Sequence, residues 1–495
     1  MNNGYEFFRP LTLTATALAA SIFIAGCSLM PSYERPAAPV TTQWPASAQS
    51  ADTDRTTGSA TTTASSTMPM DWQSYFTDPT LRQLIEVALK NNRDLRVAML
   101  NTEQAKAQLG IRRADLFPTV NAALTGSRTP NSNGGVNSAY AGGLTVTAYE
   151  LDFFGRVSSL KEQALAQFLA TSEAAQTAQI SLISTVAQSW LALLADDELL
   201  RVTRQTLDSR AESLQLTELK LQNGAASELD QRLAQTLFES ARITLAQQTR
   251  QRALDENALA LLLGQALPDT TQADLQRPTA SQLSRLEQLH LSELPAGLPS
   301  DLLTRRPDIR QAEQLLKASH ANIGAARAAF FPRISLTAGV GSASTALNDL
   351  FNNGFWGWTL APQLLLPIFD AGRNQATLDA AQVARDVAVA QYEKSIQSAF
   401  REVADALASR ATLVQQVQAS QALLATESAR NQLTHLRLDH GAANQLESLD
   451  AKRSLFTAQQ GAIQTRLAYL QNQITLFKAL GGGAHLPHDE PPAVN

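Results

Sequence analysis

Two long stretches without glycine or proline constrain the fold more than any other feature of this sequence. They run from Arg156 to Asn223 and from Arg373 to His440. Since the chain holds 24 glycines and 20 prolines in 495 residues, a random window of that length would contain about six of them. Either residue costs about 1 to 3 kcal/mol inside a helix, so each stretch predicts one continuous helix roughly 100 Å long.

Each predicted helix ends at a glycine and is followed by a second run that is poor in helix breakers. Gly224 and Gly441 can adopt the positive φ that ends a helix, and the second runs extend from Ala226 to Leu263 and from Ala442 to Leu480. The sequence therefore predicts two helical hairpins. In the first long helix an apolar residue recurs every seven positions, which predicts packing along one seam; these residues are Val186, Leu193, Leu200, Leu207, Leu214 and Leu221.

The two halves of the chain are duplicates of each other. Asp94, Arg96, Ala98, Gly110, Arg113, Ala114, Phe117 and Pro118 recur at a constant offset of 214 as Asp308, Arg310, Ala312, Gly324, Arg327, Ala328, Phe331 and Pro332. Gly155 and Arg156 recur at an offset of 217. A repeat of this size indicates duplicated structure, and it predicts a first repeat at 80–264, a linker at 265–307, a second repeat at 308–481 and a C-terminal tail at 482–495.

After each Phe-Pro pair the apolar pattern changes from helical to alternating. The period of two predicts strands with one apolar and one polar face, and the tips at Asn131–Ser138 and Asn348–Gly354 are rich in glycine, asparagine and serine. Each half is therefore predicted to contain, in order, a helix, two strands, a long helix, a glycine turn and a second helix. In the first half, the first helix is predicted at about 80–116. The apolar positions are Val120, Ala122, Leu124, Leu144, Val146 and Ala148 in the first half, and Ile334, Leu336, Ala338, Val340, Trp356, Trp358 and Leu360 in the second.

The N-terminus predicts secretion and lipid attachment. Residues 1–26 have the short apolar core of a signal peptide, and Ile24-Ala25-Gly26-Cys27 resembles a bacterial lipobox. Cys27 is the only cysteine of the chain, so we expect diacylglycerol and palmitate on it. Ser28 in place of aspartate favours sorting to the outer membrane. An ordinary signal peptide with an accidental cysteine is the alternative. Residues 27–79 are predicted to be a lipidated N-terminal tether, whose stretch Thr41–Met68 is either a flexible tether or a strap on the protein surface.

Composition excludes several function classes. A net charge of −5 argues against nucleic-acid binding. One cysteine and six scattered histidines give no metal site, and no phosphate loop or nucleophile elbow is present. We therefore expect neither a metal, a bound cofactor nor enzymatic activity.

The predicted strands fit either a small soluble sheet packed on helices or part of a membrane barrel. Trp356 and Trp358 suit an interfacial aromatic girdle. Strands in lipid must close into a barrel, and four are too few because the smallest such barrels have about eight. A membrane sheet would therefore require several copies of the chain.

Several motifs together resemble the TolC superfamily, and more closely its outer-membrane efflux lipoproteins of the OprM and NodT type. The resemblance implies a mainly α, trimeric fold with a 12-stranded β-barrel, four strands per chain, joined to a long α-helical barrel and a mixed equatorial region. It also implies a periplasmic membrane-fusion adaptor and an inner-membrane pump of the resistance-nodulation-division (RND) class as partners. The motifs are the lipobox, Ser32–Pro36, Leu298–Arg310, the duplicated Phe-Pro and Leu449–Ala451.

The resemblance implies that the chain is a passive exit duct for drugs or other toxic small molecules, and that it is lipid-anchored in the outer membrane with its helical barrel in the periplasm. Two alternatives remain open at this point. One is the exit duct of a type I protein secretion system, and the other is a non-conducting coiled-coil periplasmic lipoprotein.

By resemblance, Leu446, Glu447 and Asp450 line the periplasmic aperture. Glu447 and Asp450 are three residues apart on one helical face, and copies around an axis would form a cation-attracting carboxylate ring. The alternative is that acidic residues near a helix N-terminus are favoured by the helix dipole.

The two glycine turns are expected to meet the adaptor through Gly224, Ala225, Leu229, Gly441 and Ala442, although plain hairpin turns would also use small residues. The charges around Asp94, Arg96, Asp308 and Arg310 are expected to be structural.

Overall fold

The computed structural model describes residues 28–41, 43–45, 71–130, 132, 134–269, 271, 285–292, 294, 305–352 and 355–483. The predictions for Cys27, for linker residues 298–304 and for the tail beyond residue 483 lie outside the described residues. The elements, in chain order, are α1 Trp72–Tyr75, α2 Pro79–Asn91, α3 Arg93–Ala114, β1 Val120–Pro130, β2 Val136–Leu151, α4 Arg156–Gln222, α5 Glu228–Leu263, α6 Arg285–Gln288, α7 Pro307–Ala328, β3 Arg333–Ser344, β4 Phe355–Leu365, α8 Arg373–Asp439 and α9 Gln445–Ala479.

The chain divides into two compact units, each assembled from three separate stretches. The first contains the described residues of Met1–Ala38, Leu100–Ser172 and Gln311–Lys394, and it includes the four strands. The second contains those of Pro39–Met99, Glu173–Arg310 and Ser395–Asn495, and it includes both helical hairpin turns.

The two long helices predicted from the absence of breakers are confirmed. Helices α4 and α8 each contain 67 residues, and their partners α5 and α9 begin one turn after the glycines. The prediction of one helix over about 80–116 is wrong at Asn92, where α2 ends and α3 begins. Asn92 has an extended ψ, and its side chain accepts a hydrogen bond from the Leu95 amide at 2.9 Å and donates one to the Leu262 carbonyl at 2.9 Å.

The predicted heptad seam of α4 is correct only for its first half. Val186, Leu193 and Leu200 are buried, whereas Leu207 and Leu214 are only partly covered. Beyond Leu200 the buried positions of the helix include the polar residues Thr203, Arg210, Ser213 and Thr217. The packed side of α4 therefore changes from apolar to polar toward its hairpin turn.

Three buried aromatic residues pack together in the second unit. The ring of Tyr75 lies parallel to that of Phe477 with centroids 4.3 Å apart, and Phe76 packs edge-on against both. The Tyr75 hydroxyl donates to the Gln473 carbonyl at 3.0 Å. Offset and edge-on aromatic pairs contribute about 0.5 to 1.5 kcal/mol beyond the burial of their surface, so this cluster fixes α1 against α9.

Arg306, which belongs to the motif Leu298–Arg310, has a structural role. Its guanidinium is buried and forms ion pairs with Asp308 at 2.6 Å and with Glu402 at 2.8 Å, while it donates to the Ala479 carbonyl at 2.9 Å. Arg310 pairs with Glu173. The prediction that charges at Asp308 and Arg310 are structural agrees with these contacts, which join the start of α7 to α4, to α8 and to the end of α9.

The four strands form one antiparallel sheet in the order β1-β2-β3-β4. Strands β1 and β4 are the edges, and no described strand of the chain pairs with their outer sides. Gly143 and Gly341 pair across β2 and β3 at a close approach, because a Cβ on Gly143 would lie 2.2 Å from the Val340 carbonyl oxygen. Glycine is required there by backbone contact.

A β-bulge interrupts the alternation of apolar and polar residues that was predicted for β2. The register passes from Val146 opposite Ala338 to Tyr149 opposite Leu336, so two residues of β2 face one residue of β3. Ala148 has a φ of 50°, and its amide donates to the Thr337 hydroxyl at 3.1 Å. Placing Ala148 on the apolar face and Tyr149 on the polar face was therefore wrong, because the extra residue reverses the phase beyond Val146.

Candidate functional site

The sheet has one apolar face, which the register makes continuous across all four strands. Residues that pair directly lie on the same face. Three consecutive rows of this face are Val120, Val146, Ala338 and Leu360; Ala122, Leu144, Val340 and Trp358; and Leu124, Gly142, Ser342 and Trp356. The opposite face is small and polar, as in the row Asn121, Thr145, Gly339 and Thr359.

The tryptophans lie near the end of the sheet that carries the two strand connections, which we call the tip end. Trp356 and Trp358 are 67% and 76% exposed on edge strand β4. The connection between β3 and β4 folds over the same face, since Leu350 is fully buried against Gly142 and its carbonyl accepts from the Ser342 hydroxyl at 2.5 Å. The sequence pattern predicted the exposed tryptophans but gave no sign of this folded connection.

A membrane-spanning helix is a weaker interpretation of the same chain. Among the described residues, only α4 contains a stretch long and apolar enough to cross a bilayer, and 67% of that stretch is buried. A mostly buried stretch is typical of a core helix. The exposed apolar surface of the sheet is the stronger candidate for contact with lipid.

The two hairpin turns have the same geometry. Gly224 and Gly441 both have a φ of 72°. In the first turn the Gly224 amide donates to the Leu221 carbonyl at 3.0 Å and the Ala225 amide to the Lys220 carbonyl at 2.8 Å. The second turn repeats both bonds, from Gly441 to Leu438 at 3.0 Å and from Ala442 to Arg437 at 2.7 Å. This is the Schellman ending of a helix, and its left-handed position favours glycine.

Each turn leads into a capped helix that exposes a leucine in its first turn. The Ser227 side chain caps α5 in a capping box with Asp230, and the Asn444 side chain accepts from the Glu447 amide at 2.8 Å to cap α9. Leu229 and Leu446 occupy equivalent positions and are 69% and 58% exposed. Leucines this exposed contribute little to the packing of a single chain.

The structure pairs each carboxylate of the predicted aperture with arginine. Glu447 lies 3.8 Å from Arg437, and Asp450 lies 2.7 Å from Arg453 and 3.6 Å from Arg430. Residues 427–453 contain four acidic and four basic side chains. The sequence prediction considered only the acidic residues, and it missed that α8 supplies cations to the same surface.

Arg210 is a buried cation that the sequence pattern did not single out. It donates to the Leu237 carbonyl of α5 at 2.8 Å and lies 5.2 Å from the centre of the Phe456 ring of α9. Burial lowers its pKa, although an arginine remains protonated. Arg210 thus connects the two hairpins. In the sequence, the only indication that Arg210 is buried was its position seven residues after Thr203 on the polar side of α4.

The first residues after Cys27 form a strap against α7. Glu313 is buried and accepts from Tyr33 at 3.1 Å and from Arg35 in a bidentate pair at 2.9 and 2.7 Å. Lys317 lies 3.4 Å away. Although burial alone would raise the pKa of Glu313, hydrogen bonds and charge from Arg35 and Lys317 hold it below its usual range.

Two further contacts fix the start of this strap. The Arg327 guanidinium donates to the Leu29 carbonyl at 3.3 Å. Gly324 leaves room for Met30, because a Cβ there would lie 3.0 Å from the Met30 Cα. The stretch 41–68, predicted to be a flexible tether or a surface strap, lies almost wholly outside the described residues.

Among the described residues, no group of three histidine, cysteine or acidic side chains is placed to hold a metal ion.

A sheet with two free edges and one apolar face, combined with paired long helical hairpins, defines a class of channel-forming proteins of the outer membrane. The family model described as outer membrane efflux protein matches residues 84–265 and 298–482, and the chain belongs to this family. The resemblance found from the motifs is thereby confirmed, and the family is one of efflux channels rather than enzymes.

Relatives and solved structures agree with this assignment. The chain is 45% identical over 481 residues to a probable efflux pump outer membrane protein, TtgC, of Pseudomonas putida, covering 96% of both chains. It is 43% identical over 479 residues to outer membrane protein OprJ of Pseudomonas aeruginosa, covering 94% of this chain and 95% of the relative. The open-state structure of the MtrE outer membrane channel of Neisseria gonorrhoeae matches with a TM-score of 0.81 at 37% identity, over 92% of this chain and 99% of that one. The protein is an outer-membrane efflux channel with the TolC-like fold.

Proposed function

We propose that this chain is the passive exit duct of a tripartite efflux system and that three copies close one 12-stranded barrel. A periplasmic adaptor and an inner-membrane pump, expected to be of the RND class, deliver small toxic compounds to it. Energy coupling then belongs to the pump. The alternative of a non-conducting periplasmic lipoprotein leaves the exposed apolar sheet without a role.

The observation that carries this proposal is the sheet with two unpaired edges. Backbone groups in lipid need partners, so β1 of one copy must pair with β4 of the next. Both edge strands contain 11 residues, and the order of four antiparallel strands leaves them antiparallel across such a junction. The apolar face with Trp356 and Trp358 then contacts lipid as a membrane girdle.

The strap supports lipid attachment at Cys27. The bond from Arg327 to Leu29 lies six residues before β3 begins. Since two residues of extended chain span at most about 7 Å, an acyl group on Cys27 would be attached close to the helix side of the sheet, where the inner leaflet would lie. Replacing Cys27 by serine should abolish incorporation of labelled palmitate, while the signal-peptide alternative predicts no labelling in the unmodified chain.

The hairpin tips are proposed as the adaptor surface. Gly224, Ala225, Leu229, Gly441 and Ala442 supply two matching turns with small residues and an exposed leucine beside them. We place Leu446, Glu447 and Asp450 at the aperture, because they follow the second of these turns. Cysteines at Ala225 and Ala442 should crosslink to the adaptor, whereas cysteines at the exposed residues Gln251 and Gln464, farther along α5 and α9, serve as controls.

Ion conductance of the purified protein in planar bilayers tests the duct. A trimer should conduct steadily, and a strain lacking the gene should accumulate an aromatic solvent until the gene is restored. Absence of conductance would support the non-conducting alternative. Normal conductance with restored protein secretion but unchanged solvent accumulation would instead favour the type I secretion duct.

A further inference from the structure

Among the described strands, one aromatic side chain lies on the face opposite to the tryptophans, and the other large apolar residue of β4 on that face, Leu365, is at the far end of the strand. Phe355 pairs with Ala343, whereas its neighbour Trp356 pairs with Ser342 on the apolar face. Phe355 is therefore on the face opposite to the tryptophans, and it is 88% exposed. On the same face, the neighbours of Phe355 along β4 are Gly357 and Thr359. A side chain so exposed contributes little to the packing of the chain.

A cavity lies beside this ring at the tip end of the sheet. It has a volume of about 590 Å³, and its lining includes Thr125, Ser127, Ala343 and Phe355, together with Tyr140 of β2 and one carboxylate, that of Asp349. Small-molecule sites in proteins have volumes of about 300 to 1,000 Å³. Methyl groups, hydroxyl groups and the exposed ring of Phe355 provide a surface that suits a small neutral molecule.

Membrane contact does not account for Phe355. Aromatic residues of membrane barrels concentrate on the lipid face near the interfaces, and Trp356 and Trp358 occupy that face here. If three copies close the barrel as proposed above, the face with Phe355 lines the bore. Three rings would then surround the exit, where the rest of the wall offers little apolar surface.

We propose that the cavity beside Phe355 is a transient contact site for neutral aromatic cargo at the exit of the bore. The ring of Phe355 provides an apolar platform for one aromatic molecule, and the small residues around it leave room for passage. Contact of an aromatic molecule with one face of the Phe355 ring is enough to increase its occupancy of the cavity about five- to tenfold. This inference rests on the proposed duct function.

Thiol protection can test the site because Cys27 is the only natural cysteine. Ala343→Cys places a thiol on the residue paired with Phe355. A membrane-impermeant maleimide added outside intact cells should label it, and 1-naphthol should slow the labelling at least threefold. In the double variant with Phe355→Ser, 1-naphthol should have no effect. The matched control is Phe351→Ser, because Phe351 packs on Gly142 at the other face and its loss should leave the protection unchanged.

Two results would overturn the site. Failure of the maleimide to reach Ala343→Cys would show that this face does not line the bore, and equal slowing with and without Phe355 would show that the ring is not the platform. Conductance of each variant in planar bilayers separates these results from failure of the duct. A variant that conducts normally but lacks protection refutes only the site.

Discussion

Removing the two carboxylates proposed for the aperture, those of Glu447 and Asp450, should make the channel select for anions. The double variant Glu447→Ala, Asp450→Ala takes these acidic partners away from Arg430, Arg437 and Arg453. Each chain gains two positive charges at the tip, and a trimer gains six. If the unmodified chain carried an unpaired carboxylate ring, the same change would remove cation selectivity without producing selectivity for anions.

The size of the effect follows from Coulomb's law. A unit charge about 10 Å from the axis contributes about 0.4 kcal/mol in water, and screening near 0.1 M salt reduces this to about 0.15 kcal/mol. Six charges together raise the barrier for a cation by about 0.9 kcal/mol and lower it equally for an anion. The anion-to-cation permeability ratio should therefore increase about tenfold to twentyfold.

Reversal potentials across a KCl gradient in planar bilayers measure this ratio directly. The matched control is Arg430→Ala with Arg437→Ala, which leaves the carboxylates in excess and should shift the ratio in the opposite direction. An unchanged reversal potential in both variants would refute the placement of these side chains at the narrowest point. Equal shifts of the same sign would refute the electrostatic reasoning.

Three further predictions concern stability and assembly. Burial and neighbouring carboxyl groups raise the pKa of Asp196 to about 7, so stability present below about pH 4 is lost as the pH rises toward 7. In urea titrations, Asp196→Asn should therefore raise the free energy of unfolding by about 2 kcal/mol more at pH 8 than at pH 4, after allowance for solvent screening. The same pH dependence of stability in the variant and the unmodified chain would contradict this. Glu313→Gln should release the strap and speed chymotryptic cleavage after Tyr33 about tenfold, because Tyr33 and Arg35 lose their shared partner, whereas an unchanged rate would show that other contacts hold the segment. Gly341→Val should prevent formation of the heat-resistant oligomer on gels, because a Cβ there would lie 2.4 Å from a carbonyl oxygen of β2, while Gly357→Val, with open space around it, should assemble normally.

Local signals in the sequence were sufficient for the helices and for most of the strand pattern. Helix breakers act through the backbone of a single residue, so Gly224 and Gly441 marked the ends of α4 and α8 correctly. The break at Asn92 was missed because its side chain is held by Leu262, a contact that no local pattern encodes. The bulge at Ala148 was missed for a similar reason, since it depends on the register with β3.

The candidate sites show the same division between local and long-range information. Equivalent turns and exposed leucines at the two tips follow from the duplication, which is visible in the sequence. Pairing of Glu447 with Arg437 depends instead on how two helices of one hairpin align. The buried position of Glu313 depends on a strap far away in the chain, so the motif around Arg35 indicated a family but not a contact.

The two repeats differ in how their strands are connected. Residues 131–135 join β1 to β2, whereas the stretch 345–354 that joins β3 to β4 is twice as long and carries Leu350 back onto the sheet. In a closed assembly of three chains, short and long connections would alternate around the rim. The mouth would then have threefold rather than sixfold symmetry, and a large molecule approaching from outside the cell would find three equivalent landing positions.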